Sequence, residues 1–322
     1  MKRPIRVVTL MAAIAIVAAA CSAGGDGATD STQATTTIPE ATTTSQATTT
    51  TTEAMVPALV LEVSGFPTLE DGVHYEGWAI IEGAPVTTGK FNVEDGVIVD
   101  LDGAPIDAFE AAGLDAAETI IITIEPSGDT DDIPAATHFA AGDVVDGSFE
   151  LSISHPAALG TDFSTAAGTV ILATPTNGDD TDEFGGIWFL ALPEPSPSLD
   201  LPVLPAGWKY EGWAVIDGVP VSTGTFLDVA DADEADPFSG TQDAPPFPGE
   251  DFLVNAPEGL TFPTDLRGAT IVISVEPDPD DSAAPFTLKP LVGQVADDAA
   301  DHENLTLDNN AVDLPTGSGT IG

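Results

Sequence analysis

The residues of this sequence that could do chemistry are mostly carboxylates, and two groups of them recur at matching places. Glu125-Pro126 is followed by Asp129, Asp131 and Asp132, and Glu276-Pro277 by Asp278, Asp280 and Asp281. Calcium takes six to eight oxygen ligands from such clusters, so these eight residues are candidate cation ligands and calcium is the one candidate cofactor. No Asp-x-Asp-x-Asp-Gly loop with Glu at its twelfth position accompanies them, and a solvated acidic turn is the plainer reading. The acidic run from Asn177 to Glu183 is a further candidate of the same kind.

Other chemistries find less support. His74, His138, His155 and His302 are scattered and Cys21 is the only cysteine, so spacing gives no zinc site. Gly-x-Ser-x-Gly and His-Glu-x-x-His are both missing. Ser152 and Ser154 before His155 read as the end of a strand, not as a nucleophile and its base. A hydrolase using a carboxylate pair is the weakest of three readings, because no pair stands out among 53 acids. A non-catalytic binding or sensing module comes first, and an acidic spacer or adhesion module, stiffened by calcium, second.

The elements that must position these residues are duplicated. Tyr75-Glu-Gly-Trp78-Ala through Phe91 returns at Tyr210 to Phe226 with 12 of 17 residues identical. Thr119-Ile-Ile-Ile-Thr-Ile-Glu125-Pro126 returns as Thr270-Ile-Val-Ile-Ser-Val-Glu276-Pro277, after which Gly142 meets Gly293 and Gly168-Thr169 meets Gly319-Thr320. Self-similarity of this kind sets architecture before any local reading does. Strands are expected over residues 57–63, 74–81, 86–93, 97–101, 119–124, 149–154, 168–173 and 187–192, with Asp95-Gly96 and Asp146-Gly147 as turns. Residues 108–112, stopped by Gly113, read as one short helix. The fold class is mostly β: two tandem antiparallel sandwich-like modules at 55–192 and 199–322, joined by the Pro/Ser linker 193–198. The second carries an insertion at about 230–260 and lacks the last strands of the first. That leaves open whether 187–192 is shared, and tight packing of the halves is expected.

Tyr75 and Tyr210 are the only tyrosines, with Trp78, Trp208 and Trp213 in or beside the same element. Such rings could form a glycan- or peptide-binding surface, but large rings filling a core, re-aimed by a bulge at Gly77 or Gly212, are the favoured reading. Pro85, Gly89, Pro220 and Gly224 belong to turn chemistry.

The ends of the chain speak to address. Lys2, Arg3 and Arg6 precede an apolar stretch and Ala18-Ala-Ala20-Cys21, so residues 1–20 read as a lipoprotein signal peptide and Cys21 as the lipidated residue. Residues 21–54 form a Thr-rich linker without apolar periodicity, expected to be disordered. The expected location is extracytoplasmic: anchored in the membrane by lipid and exposed at the surface. Every acid follows Cys21, against only Lys90, Lys209, Arg267 and Lys289 on the basic side. Repulsion on that scale excludes nucleic acid and anionic headgroups as partners. The expected partner is an envelope protein or a glycan.

Tyr75, Trp78, Pro85, Val86, Gly89, Phe91, Glu125 and Pro126, with Tyr210, Trp213, Pro220, Val221, Gly224, Phe226, Glu276 and Pro277, carry a resemblance. Both copies are similar to the C-terminal extracytoplasmic domain of anti-sigma-K-type factors. The resemblance implies a shared outer-domain fold. That family also holds a sigma factor through a cytoplasmic segment; only a signal peptide and a linker precede the modules here, so no direct sigma-factor partner is expected.

Overall fold

A computed structural model describes residues 56–178, 180–280 and 282–322. Cys21, the leader and the Thr-rich linker lie outside them, as does Asp281. The hairpin that opens each repeat forms because its two tip residues adopt left-handed backbone, Glu82 and Gly83 in one copy and Asp217 and Gly218 in the other. Paired positive φ values match the right-handed twist of the flanking strands. Pro85 and Pro220 lie two residues past the tip, opposite Ile80 and Val215, and are already in the return strand. At Gly77 and Gly212 the ladder slips by one residue. A Cβ on either glycine would lie 2.3 or 2.2 Å from the hydroxyl of Thr88 or Thr223, so the bulge admits no side chain there.

The first repeat supplies β1 (Ala58–Ser64), β2 (His74–Ile81), β3 (Ala84–Glu94), β4 (Val97–Val99), β5 (Phe109–Glu110), β6 (Thr119–Glu125), β7 (His138–Asp143), β8 (Ser148–Ser152) and β9 (Ala167–Leu172). Next come β10 (Gly186–Trp188), β11 (Leu190–Ala191), β12 (Ser196–Pro197) and β13 (Leu199–Asp200). The second repeat supplies β14 (Trp208–Ile216), β15 (Val219–Phe226), β16 (Gly249–Asp251), β17 (Thr270–Pro277), β18 (Leu291–Gln294), β19 (Leu305–Asn309) and β20 (Thr316–Ile321). The mostly-β expectation holds. The helix expected over 108–112 does not form: Phe109 is buried and pairs with Leu59 in β5, and a short 3-10 turn follows at Leu114–Ala116. Burying Phe109 against the sheet outweighs the weak helix preference of an Ala-containing run.

The strands make two large antiparallel sheets, ordered β4-β3-β2-β6-β7-β8-β20-β1-β5 and β15-β14-β17-β18-β19-β9-β10-β16, with β13 also on β9. The first curls into a half-barrel and the second into a nearly closed barrel, with β16 returning beside β15. The two repeats exchange their equivalent last strands. β20 of the second copy lies between β8 and β1 of the first, while β9 of the first lies between β19 and β13 of the second. The repeated Gly-Thr step sits in these strands for a steric reason. A Cβ on Gly319 would lie 2.3 Å from the Phe149 ring, and one on Gly168 would lie 2.6 Å from Leu199. Residues 187–188, left open above, pair in the second sheet. The insertion supplies β16, whose pairing with β10 carries that sheet toward closure.

One core runs through both sheets, from Tyr75, Phe91 and Phe139 to Trp208, Tyr210 and Phe226. Phe139 stacks on Trp208 at 6.3 Å and meets Phe286 edge-on at 5.9 Å, so rings of both repeats touch. The described residues accordingly lie in one compact unit.

The exchange is testable by truncation. A chain ending at Pro315 loses the six residue pairs that join β20 to β1, although β1 lies at the other end of the folded sequence. At ~0.5–1.5 kcal/mol per hydrogen bond, amides of Ala58–Ser64 should lose roughly 100-fold or more of their hydrogen-exchange protection. Unchanged protection there would show that β1 does not depend on β20.

Candidate functional site

Each repeat buries a cluster of carboxylates on the face of its hairpin opposite the main core. In an antiparallel ladder, directly opposed residues share a face. His74 faces Glu125, Glu76 faces Thr123 on one side and Lys90 on the other, so these side chains form one group. Glu76 and Glu125 are each 1% exposed. Trp78 Nε1 donates to Thr123 Oγ1 at 2.9 Å, and the Thr123 hydroxyl donates on to Glu125, which also accepts the Ala135 N–H at 2.9 Å. The Thr87 hydroxyl donates to Glu76.

The second repeat keeps the plan. Trp213 Nε1 donates to Ser274 Oγ at 2.8 Å, Ser222 donates to Glu211, and Glu276 accepts the Phe286 N–H at 2.9 Å. The cations differ. In the first repeat the Lys90 ammonium lies 2.6 Å from Asp129 Oδ2 and 3.6 Å from Glu76 Oε2. Burial opposes that ammonium, but Asp129 and Glu76 outweigh it and raise its pKa, while Lys90 lowers that of Asp129. Burial, only partly offset by Thr87 and Lys90, raises the Glu76 pKa. In the second repeat Thr225 stands where Lys90 would be, and Lys209 turns to Glu234 at 2.8 Å and Asp278 at 3.4 Å. Desolvation there pushes Glu211 and Glu276 up to about 7.

The expected cation ligands are divided by this arrangement. Asp129 joins His74 and Glu76, and Asp280 and Glu276 join Glu211; each trio has its ligand atoms within 4.8 Å of one another. Asp131 and Asp132 are exposed, Asp131 capping its own turn at the Ile133 N–H, and Asp278 pairs with Lys209. Tyr75 and Tyr210 lie in the core, their hydroxyls donating to the carbonyls of Pro67 at 2.9 Å and Pro202 at 2.6 Å. Trp78 and Trp213 are buried beside the carboxylates. Gly89 and Gly224, with φ of 132° and 111°, continue the return strands, and Pro85 and Pro220 are their second residues. His74, Glu76, Lys90 and Glu211 were not singled out from sequence as ligands. The sequence offered only a Glu set between Tyr and Trp in both copies; that its strand is buried on both faces is seen in the structure.

A second candidate lies on the barrel. Ile171, Trp188, Leu190, Leu192, Pro245 and Phe247 line an apolar cleft of ≈ 260 Å³. It shares Ala173, Pro175 and His302 with a polar recess of ≈ 240 Å³ that adds Asp180 and Glu183. The insertion builds one wall and is pinned by buried acids. Asp251 accepts Trp188 Nε1 at 2.7 Å and the Thr176 N–H at 2.8 Å, Glu250 accepts the Ser239 hydroxyl, and Asp233 accepts the Gly249 N–H at 2.9 Å. Desolvation raises Glu250 to about 7 and Asp233 to about 8, with Asp236 and Asp251 adding to the effect on Glu250.

These shifts fix a pH dependence. A carboxyl whose folded pKa exceeds its unfolded value of ~4 stabilises the fold below that value, and the contribution is lost as pH rises through the folded pKa. The melting midpoint should therefore rise by roughly 5 °C or more between pH 8 and pH 5. Below about pH 4 it should fall, as Asp129 and Glu234 lose their lysines. Glu250→Gln, which removes one raised group, should flatten the upper slope, and Glu82→Gln on the exposed hairpin tip should not. Equal slopes in the two variants would assign the effect to general charge repulsion.

No curated protein and no solved structure matches this chain. The family model described as "Anti-sigma-K factor rskA, C-terminal" matches residues 7–139, less than half of the chain, and so bears out the likeness for the first copy as far as Phe139.

Proposed function

We propose that this is a lipid-anchored extracytoplasmic protein whose folded part binds an envelope protein without transforming it. The leader ending at Cys21 and the Thr-rich stretch after it support the address, and the match to an anti-sigma-factor outer domain supports a regulatory, non-catalytic module. One observation carries the choice of surface. The insertion, the largest difference between the copies, forms a wall of the cleft at Trp188 and Phe247 beside Asp180, Glu183 and His302. At ≈ 260 Å³ the apolar part lies just under the usual range for small-molecule sites and suits two or three side chains of an extended segment. With carboxylates at its rim and a strongly acidic chain around it, the fitting segment is apolar or proline-rich with basic flanks.

Two measurements test this. Labelled palmitate should enter the wild-type chain and not Cys21→Ala, which should leave the membrane fraction; a variant that stays membrane-bound removes the anchor. Synthetic Pro/Leu peptides flanked by Lys should bind the folded chain in calorimetry more tightly than the same peptides flanked by Glu. Phe247→Ala, ~3 kcal/mol if the ring is an anchor, should abolish that binding. Binding that ignores both the flanking charge and Phe247 would place the partner surface elsewhere.

A further inference from the structure

The trio in the first repeat has features that its acidity alone does not explain. His74 is 3% exposed, and its Nδ1 lies 3.2 Å from the Gly72 carbonyl. That bond places the proton on Nδ1 and leaves Nε2 as a bare lone pair, which is the arrangement that orients a metal-ligating imidazole. Nε2 is buried without a hydrogen-bond partner among the described residues, and so is Oε2 of Glu76, whose charge is met only by Lys90 at 3.6 Å. A buried lone pair with nothing to accept costs folding energy, and a cation is what a buried imidazole nitrogen and a carboxylate oxygen can share.

Donor type and spacing narrow the ion. One ligand atom each from His74, Glu76 and Asp129 lies within 4.8 Å of the others. Ligands at ~2.0–2.2 Å from a first-row ion stand that close to one another. Calcium, which takes six to eight oxygens, gains nothing from an imidazole, whereas zinc binds nitrogen and carboxylate together. The second repeat provides the contrast: Lys209 stands at the His74 position, and the group formed there by Glu211, Glu276 and Asp280 contains no imidazole.

We propose that the first repeat holds one first-row divalent ion, zinc by preference, on His74 Nε2, Glu76 Oε2 and the Asp129 carboxylate. Lys90 is the gate. Its ammonium is the counter-charge in the ion-free state, and its side chain, a quarter exposed, swings outward when the ion enters. The ion brings two charges to two carboxylates where the ammonium brings one, and it uses the lone pair that the ammonium leaves idle.

Calorimetric titration of the full folded chain with zinc chloride, after chelator treatment and in excess magnesium to saturate surface acids, tests this. One equivalent should bind saturably. His74→Gln should weaken binding by at least tenfold, and Lys90→Met should strengthen it by about as much, because it removes the competing cation. Cobalt substituted for zinc should give visible absorption that His74→Gln abolishes. Circular dichroism and melting of each variant check that the fold survives. If neither wild type nor Lys90→Met binds zinc saturably, the proposal fails. It fails equally if binding is indifferent to His74→Gln in a folded variant, since the ion then sits on surface carboxylates.

Discussion

The exchange of β9 and β20 is the constraint from which the rest of the fold follows. A strand in mid-sheet donates and accepts on both edges, so removing it leaves two unpaired edges. β20 fills that place in the first sheet and β9 in the second. Each sheet is therefore complete only when the other repeat is present. Tandem copies joined by a linker could separate. Copies that complete one another's sheets cannot do so without breaking ladder bonds on both sides, and the ring contacts of Phe139 with Trp208 and Phe286 continue the link through the core.

Much of this was legible in the sequence. β2 ends where alternation and the Glu82-Gly83 turn predict, and the mostly-β class followed from short strands punctuated by Gly, Asp and Pro. The exchange was not legible, because Gly168-Thr169 and Gly319-Thr320 are equivalent by descent and either strand suits either slot. Local pattern cannot choose between partners that duplication has made alike. The segment around Phe109 was misread for the opposite reason: tertiary burial of one ring overrode a local preference.

The carboxylate sites were half legible. Acid density pointed to the loops after Glu125 and Glu276, and Asp129 and Asp280 do come from those loops. Density could not tell buried from solvated acids, and the neighbours Asp131, Asp132 and Asp278 are exposed. The members that complete each trio, Glu76 and Glu211, were hidden inside an aromatic motif whose rings accounted for its recurrence. A strand in a layered fold can be buried on both faces, and only the structure shows that the second face of this hairpin is covered, in the first repeat by Ala157 and Ala158 over Trp78.

The two copies solve one electrostatic problem in different ways. Burying a carboxylate is costly unless a cation or a proton neutralises it. In the first copy Lys90 brings the cation, held between Asp129 and Glu76. In the second, Thr225 brings none and the carboxyls hold their protons up to about pH 7. A lysine is a fixed solution, insensitive to pH in the physiological range, whereas a proton held near pH 7 is given up within it. Duplication with divergence at positions 90 and 225 has thus placed, in one compact unit, a carboxylate cluster that carries its own lysine and a second whose charge changes near neutrality. The hydroxyl relays from Trp78 and Trp213 are the same in both, so the difference between them is one of charge and not of frame.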